Sequence, residues 1–141
     1  MAIEKMNKKD ADTLSYYLAE QLYGWDGNVA ESYFLAKMKD KDNICLVIRK
    51  GNKAVAGIVA RVESYWDDKQ VLIEMVIARE GEEEAGTELV RQIVERMRNK
   101  VKYVNMVIDS RLRRLVANLE QLNWENPTLV VLGNEISHIY R

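Results

Sequence analysis

Glu74 is the only charged residue in the run Val71-Leu72-Ile73-Glu74-Met75-Val76-Ile77. On a strand, Leu72 and Val76 share its face, while Val71, Ile73, Met75 and Ile77 take the other. A helix laid over the Glu74 face would strip water from the carboxylate and raise its pKa toward neutrality. So placed, it would act as a general base, taking a proton from an ammonium group directly or through a water. On an open part of the sheet it would instead pair with an arginine or a backbone group and serve structure alone.

The stretch Arg79-Glu80-Gly81-Glu82-Glu83-Glu84-Ala85-Gly86-Thr87-Glu88-Leu89-Val90 follows and joins that segment to a helical pattern. The first N–H groups of a helix are unpaired and stand at the positive end of its macrodipole, which makes a seat for an anion. Backbone donors do not depend on side-chain identity, so the seat exists, yet Glu82, Glu83 and Glu84 crowd it with negative charge. Without a ligand, those carboxylates complement the dipole by about 0.3–1 kcal/mol each. Arg111, Arg113 and Arg114 follow Asp109-Ser110, a pair able to cap a helix, which places the arginines in a first turn where cations oppose the dipole. They need a negative partner, and the Glu82–Glu84 run is one candidate. His138, between Ile136 and Tyr140 on one side of a closing strand, reads as structural, with no metal-ligand partner. Trp25 and Asp26 lie in a loop beside Tyr16, Tyr17, Tyr23, Tyr33 and Phe34, an aromatic group that mainly reads as packing between two helices. No Ser/His/Asp nucleophile pattern, Cys/His metal spacing or Walker loop is present, and no metal is expected.

The elements that would hold these groups are legible from periodicity. Residues 2 to 6 suit a short strand, and a helical pattern through Leu14, Tyr17, Leu18 and Leu22 ends at Tyr23-Gly24-Trp25-Asp26-Gly27-Asn28. A second amphipathic stretch carries Val29, Tyr33, Phe34 and Met38. Strands at 44–50, 54–66 and 70–78 follow, joined by Gly51-Asn52 and by Trp66-Asp67-Asp68-Lys69. From 85 to 99 the pattern is helical, with Leu89, Ile93 and Met97 forming a stripe with Val90 and Val94. A strand from Tyr103 to Ile108 precedes a helix carrying Leu112, Leu115, Val116, Leu119 and Leu122. Asn126-Pro127 ends that unit, and strands 128–132 and 135–140 close the chain about Gly133-Asn134. The order β-α-α-β-β-β-α-β-α-β-β has no repeats or linkers and reads as a single α/β domain over 1–141.

Composition narrows the partners. The chain has 141 residues, 48% apolar and 30% charged, with 21 basic against 22 acidic side chains. That balance excludes general disorder and gives no polyanion-binding surface, so nucleic acid is not an expected partner. Cys45 is the only cysteine and sits in the apolar run Ile44-Cys45-Leu46-Val47-Ile48, as a small buried hydrophobe and without an internal disulfide. The N-terminus lacks a signal-peptide pattern, and no apolar run approaches the roughly 18 residues of a membrane span. A cytoplasmic protein with no membrane partner is expected.

The element order and several local sequences resemble the GCN5-related N-acetyltransferase (GNAT) superfamily across essentially the whole chain. Ile3 to Asp12 resembles the family's opening strand and the start of its first helix, and Val55-Ala56-Gly57-Ile58 its central glycine-containing strand. Met75-Val76-Ile77-Ala78 is similar to the strand that presents backbone groups to the cofactor, and Ala85-Gly86-Thr87-Glu88-Leu89-Val90 to the end of the pyrophosphate loop and its helix. Leu119-Glu120-Gln121-Leu122-Asn123-Trp124 resembles the late helix-to-strand signature. The resemblance implies a GNAT-like acyl-CoA N-acyltransferase fold, a mixed, mostly antiparallel sheet with helices on both faces. It implies direct transfer of an acetyl group from acetyl-CoA to a small-molecule or peptide amine, and a homodimer is compatible with it. In such a reaction Glu74, read above from its strand position, or a water deprotonates the amine, while by the resemblance Met75, Val76 and Ile77 align the pantetheine. Glu82, Glu84, Ala85, Gly86 and Thr87 hold the pyrophosphate, Arg111 flanks the cofactor phosphates, and Trp25 and Asp26 contact the acceptor. Three positions depart from the family. Gly81 stands where the loop has a glutamine or arginine, Glu84 where it has its first glycine, and Leu119 where the family often has a tyrosine that protonates the leaving thiolate. The last two departures fit the alternative reading, a non-catalytic GNAT-like module with lost or weakened CoA binding.

Overall fold

The computed structural model describes residues 2–122. The expected closing strands 128–132 and 135–140, together with Trp124 and His138, lie outside the described residues.

The chain begins with β1 (Ile3–Lys5) and α1 (Lys8–Gln21). Asn7 starts α1 with a reciprocal cap: its Oδ1 accepts from the Asp10 N–H at 2.9 Å, and the Asp10 carboxylate accepts from the Asn7 N–H at 2.8 Å. Asp10 is buried, and its carboxylate also accepts from Arg49 Nε at 3.0 Å, which ties the helix start to the sheet. α2 (Gly27–Lys39) starts on Asp26, whose Oδ1 accepts from the Val29 N–H at 2.8 Å. The strands β2 (Asn43–Lys50), β3 (Lys53–Tyr65) and β4 (Asp68–Ala78) form an antiparallel meander. Gly51, at φ +64°, makes the first turn. α3 (Glu83–Met97) crosses over to β5 (Tyr103–Met106), which runs parallel to β4, and α4 (Arg113–Glu120) follows. The five-stranded sheet has the order β1-β2-β3-β4-β5.

Helices cover both faces. A Cβ built on Gly57 would stand 2.4 Å from Leu14 Cδ1, so α1 lies directly on that face of β3. Gly86 in α3 approaches the Ala78 and Val76 side chains, whose face alternates with that of Ile77, the Gly57 partner. The α3 stripe reads as expected, with Leu89, Val90 and Ile93 buried.

Two irregularities shape the site. β4 pairs with β5 only from Gln70 to Ile73, with one more bond from the Val107 N–H to the Ile73 carbonyl at 2.9 Å. Beyond Ile73 the strands part, and among the described residues no strand pairs with that edge of β4. At the same place a bulge leaves Glu74 unmatched, since Val59 pairs with Met75 and Ala60 with Ile73. The strand expected from Tyr103 to Ile108 therefore stops at Met106. α4 also starts later than its Asp109-Ser110 cap implied, because the Asp109 side chain is engaged by the Arg111 N–H and guanidinium. Arg111 consequently precedes the helix. No helix among the described residues is long and apolar enough to cross a membrane.

Candidate functional site

A cleft of about 330 Å³ opens where the end of β4 meets the starts of α3 and α4 and the end of α1. Its lining includes Gln21, Ala78, Glu83, Arg111, Arg113 and Leu115. Gln21 fixes the wall by donating from Nε2 to the Ala78 carbonyl at 2.8 Å. α3 has no side-chain cap, and the N–H groups of Glu83 and Glu84 have no hydrogen-bond partner among the described residues. Unpaired helix-start donors facing arginines across a cleft are chemically suited to an anion.

The acidic run divides around this cleft. Glu82 bonds to Lys50 Nζ at 2.8 Å and to Arg79 at 3.2 Å, and the Lys50 hydrogen bond holds its carboxyl below the usual range. Glu84 turns outward to Arg91 at 2.9 Å. Of these three only Glu83 lines the cleft, which Glu20 and Glu80 also border, and its Oε2 is buried and without a partner among the described residues. Gly86 is needed for close packing: a Cβ there would lie 2.9 Å from Leu115 Cδ1 and 3.5 Å from the Ala78 Cβ. Ala85 and Thr87 are buried beside it, and the Thr87 hydroxyl donates to the Glu83 carbonyl at 3.0 Å. None of the run pairs with Arg111, which binds Asp109 at 2.7 Å and donates to the Tyr23 carbonyl at 2.8 Å.

Glu74 sits at the other end of the β4 edge that no described strand pairs. The bulge frees it from the Val76 face, and its carboxylate turns to α2. There Oε1 accepts from Tyr33 Oη at 2.8 Å and meets Lys37 Nζ at 2.6 Å. Lys37 Nζ also lies 5.6 Å from the Tyr33 ring centroid. Burial, followed by the bond to Glu74, pushes the Tyr33 hydroxyl far above its ordinary value, so it remains a donor. Sequence reasoning missed Tyr33 and Lys37 as partners of Glu74. Their spacing on one helical face was visible, but the bulge that directs Glu74 to them was not. Met75 is half-buried, and Val76 and Ile77 are buried, so those residues offer a ligand backbone rather than side chains.

Trp25 packs edge-on against Tyr33 with ring centroids 5.6 Å apart, close to the Glu74 group. Asp26 is committed to capping α2. Cys45 is buried, and desolvation pushes its thiol up to about 11, which makes it a poor nucleophile. No group of His, Cys, Asp and Glu able to hold a metal occurs among the described residues.

The chain matches no protein-family model and no curated protein. Solved structures do resemble it. A transcriptional regulator from Bacillus halodurans C-125 aligns with a TM-score of 0.78 at 18% identity, covering 96% of this chain and 99% of that one. An aminoglycoside N-acetyltransferase in complex with CoA aligns with a TM-score of 0.72 at 10% identity, covering 96% and 94%. Glucosamine-6-phosphate N-acetyltransferase from Arabidopsis thaliana aligns with a TM-score of 0.65 at 13% identity, covering 96% and 97%. At these identities the likeness concerns architecture: the chain has the GNAT acetyltransferase fold.

Proposed function

We propose that this chain is an acyl-CoA-dependent N-acyltransferase, using acetyl-CoA as cosubstrate and a small-molecule or peptide amine as acceptor. The observation that carries this reading is the parting of β4 from β5 at Ile73, which puts Glu74 at one end of a strand edge left open among the described residues and an anion-suited cleft at the other. Bound acyl-CoA supplies a thioester carbonyl already activated for attack by nitrogen. The open edge from Met75 to Ile77 orients that extended ligand, and the free N–H groups at the α3 start, with Arg111, Arg113 and Arg114, receive its phosphates. Glu74 takes the proton from the acceptor ammonium, and the neutral amine attacks. As the carbonyl re-forms the thiolate leaves and takes up the proton that the attacking nitrogen sheds, so the step balances with the buried Leu119 in place of a tyrosine.

Thermal melting with and without acetyl-CoA tests the reading. A ligand at about 100 times its dissociation constant stabilises the folded state by roughly 2.7 kcal/mol, so a clear rise in melting temperature is expected. The unpartnered Glu83 carboxylate in the cleft favours the second reading, a GNAT-like binding module without catalysis. No rise at millimolar acetyl-CoA would select it.

A further inference from the structure

We propose that Lys37 is a tethered occupant of the acceptor's ammonium position, and that the acceptor is an unhindered primary alkylammonium that displaces it. Only the word acceptor rests on the acyltransferase reading; the binding site itself rests on geometry. Glu74 Oε1 holds Lys37 Nζ at 2.6 Å and Tyr33 Oη at 2.8 Å, while the Tyr33 ring stands 5.6 Å from the same ammonium. A carboxylate beside an aromatic ring is a recognition site for organic cations, and here the protein's own cation fills it. Trp25, edge-on to Tyr33, extends the aromatic wall.

The place is reachable. The Lys37 and Glu74 side chains keep 26% and 18% of their exposure, so Nζ can swing into water while its backbone stays fixed. That backbone is held independently, since the Lys37 carbonyl accepts from Asn43 Nδ2 at 3.1 Å and from the Asp40 N–H at 3.3 Å. An incoming group must reproduce what Lys37 presents, a methylene stem ending in –NH₃⁺. An aryl amine lacks that charge at neutral pH, and a tertiary amine lacks the slender donor head. The exchange also gives the acceptor's own proton to the oxygen that Lys37 vacates.

The test uses the whole protein, with n-butylamine as its protonated cation and n-butanol as the uncharged control, and no CoA in any arm. Amide NMR spectra of wild type should show weak shifts at Tyr33, Lys37 and Glu74 with the amine and none with the alcohol. Lys37→Met keeps the stem and removes the competitor, so it should bind the amine about fivefold more tightly, the size of losing one partly exposed ion pair. Lys37→Gln provides a second variant in case Met repacks the helix. Lys37→Met/Glu74→Gln should abolish the gain. Equal affinity in wild type and both Lys37 variants, or shifts confined to another face, would overturn the proposal. A protein that binds the amine but shows no melting response to acetyl-CoA would leave this site standing and remove the acyltransferase reading instead.

Discussion

Glu83 and Glu84 are neighbours in sequence, but they send their charge to opposite places. Aligned on the family loop, Glu84 takes a glycine position and suggests repulsion of a diphosphate, yet its carboxylate is 60% exposed and paired with Arg91. Glu84→Gly should therefore leave CoA affinity within about twofold of wild type, because an exposed pair is worth little. Glu83 is the residue that faces the cleft with an unpartnered oxygen. Glu83→Gln removes that charge and should tighten CoA binding by about three- to tenfold, with the larger gain at low salt, where repulsion is least screened. Calorimetry of both variants at two ionic strengths checks the pair, and a tighter Glu84→Gly with an unchanged Glu83→Gln would reverse the assignment. Glu74→Gln, by contrast, should lower turnover by about 10²–10⁴-fold, the range for losing general-base catalysis, with the melting response to CoA retained. Residue types were legible in the sequence, and so was the unusual carboxylate at 74. Side-chain direction was not, because it depends on a bulge and on partners more than thirty positions away in the chain.

Elements were more legible than their ends. Alternation marked the strands and 3.6-residue periodicity marked α3, because both patterns follow from burying one face. The end of β5 and the start of α4 were misplaced, the first by a tertiary event, the parting of the strands at Ile73, and the second by a local one, since Arg111, two residues on, draws Asp109 away from a capping role. Gly57 shows how packing explains a residue that periodicity cannot. Its ideal Cβ would lie 2.4, 3.1 and 3.3 Å from three atoms of the Leu14 side chain, which is itself fully buried. Gly57→Ala must push α1 off the sheet or force Leu14 from its rotamer, at an expected cost of about 1–3 kcal/mol. Adding Leu14→Ala to Gly57→Ala should cost less than the two separate losses combined, a coupling that urea unfolding of all three variants would measure. Additivity would mean that the helix, and not Leu14, makes the close contact.

Charge balance over the whole fold predicts how stability follows pH. Asp109 is held below its ordinary 3.8 by hydrogen bonds from Arg111, Asp67 by Tyr103, and Glu95 below 4.5 by Arg98, as Glu82 is by Lys50. In each case the unfolded chain binds its proton at the higher pH, so these contributions are complete above about pH 5 and are lost as acid titrates the folded carboxyls. The urea midpoint should fall from pH 5 to pH 3, and by less in high salt, because the pairs are exposed. The alkaline side has another origin. Cys45, buried on β2, keeps its proton up to about 11, whereas an unfolded thiol releases it near 9. The folded pKa is the higher one, so this contribution is full below pH 9 and disappears between there and about 11. Tyr17 and Tyr33 are raised from 10.0, also chiefly by burial, and extend the loss upward. Cys45→Ala should lower stability at pH 7 through the lost packing and yet flatten the decline between pH 9 and 10, before the tyrosines contribute. Urea midpoints taken every half unit from pH 7 to 10.5 on both proteins decide the matter: parallel curves would show that the thiol is not the group whose burial sets the alkaline limit.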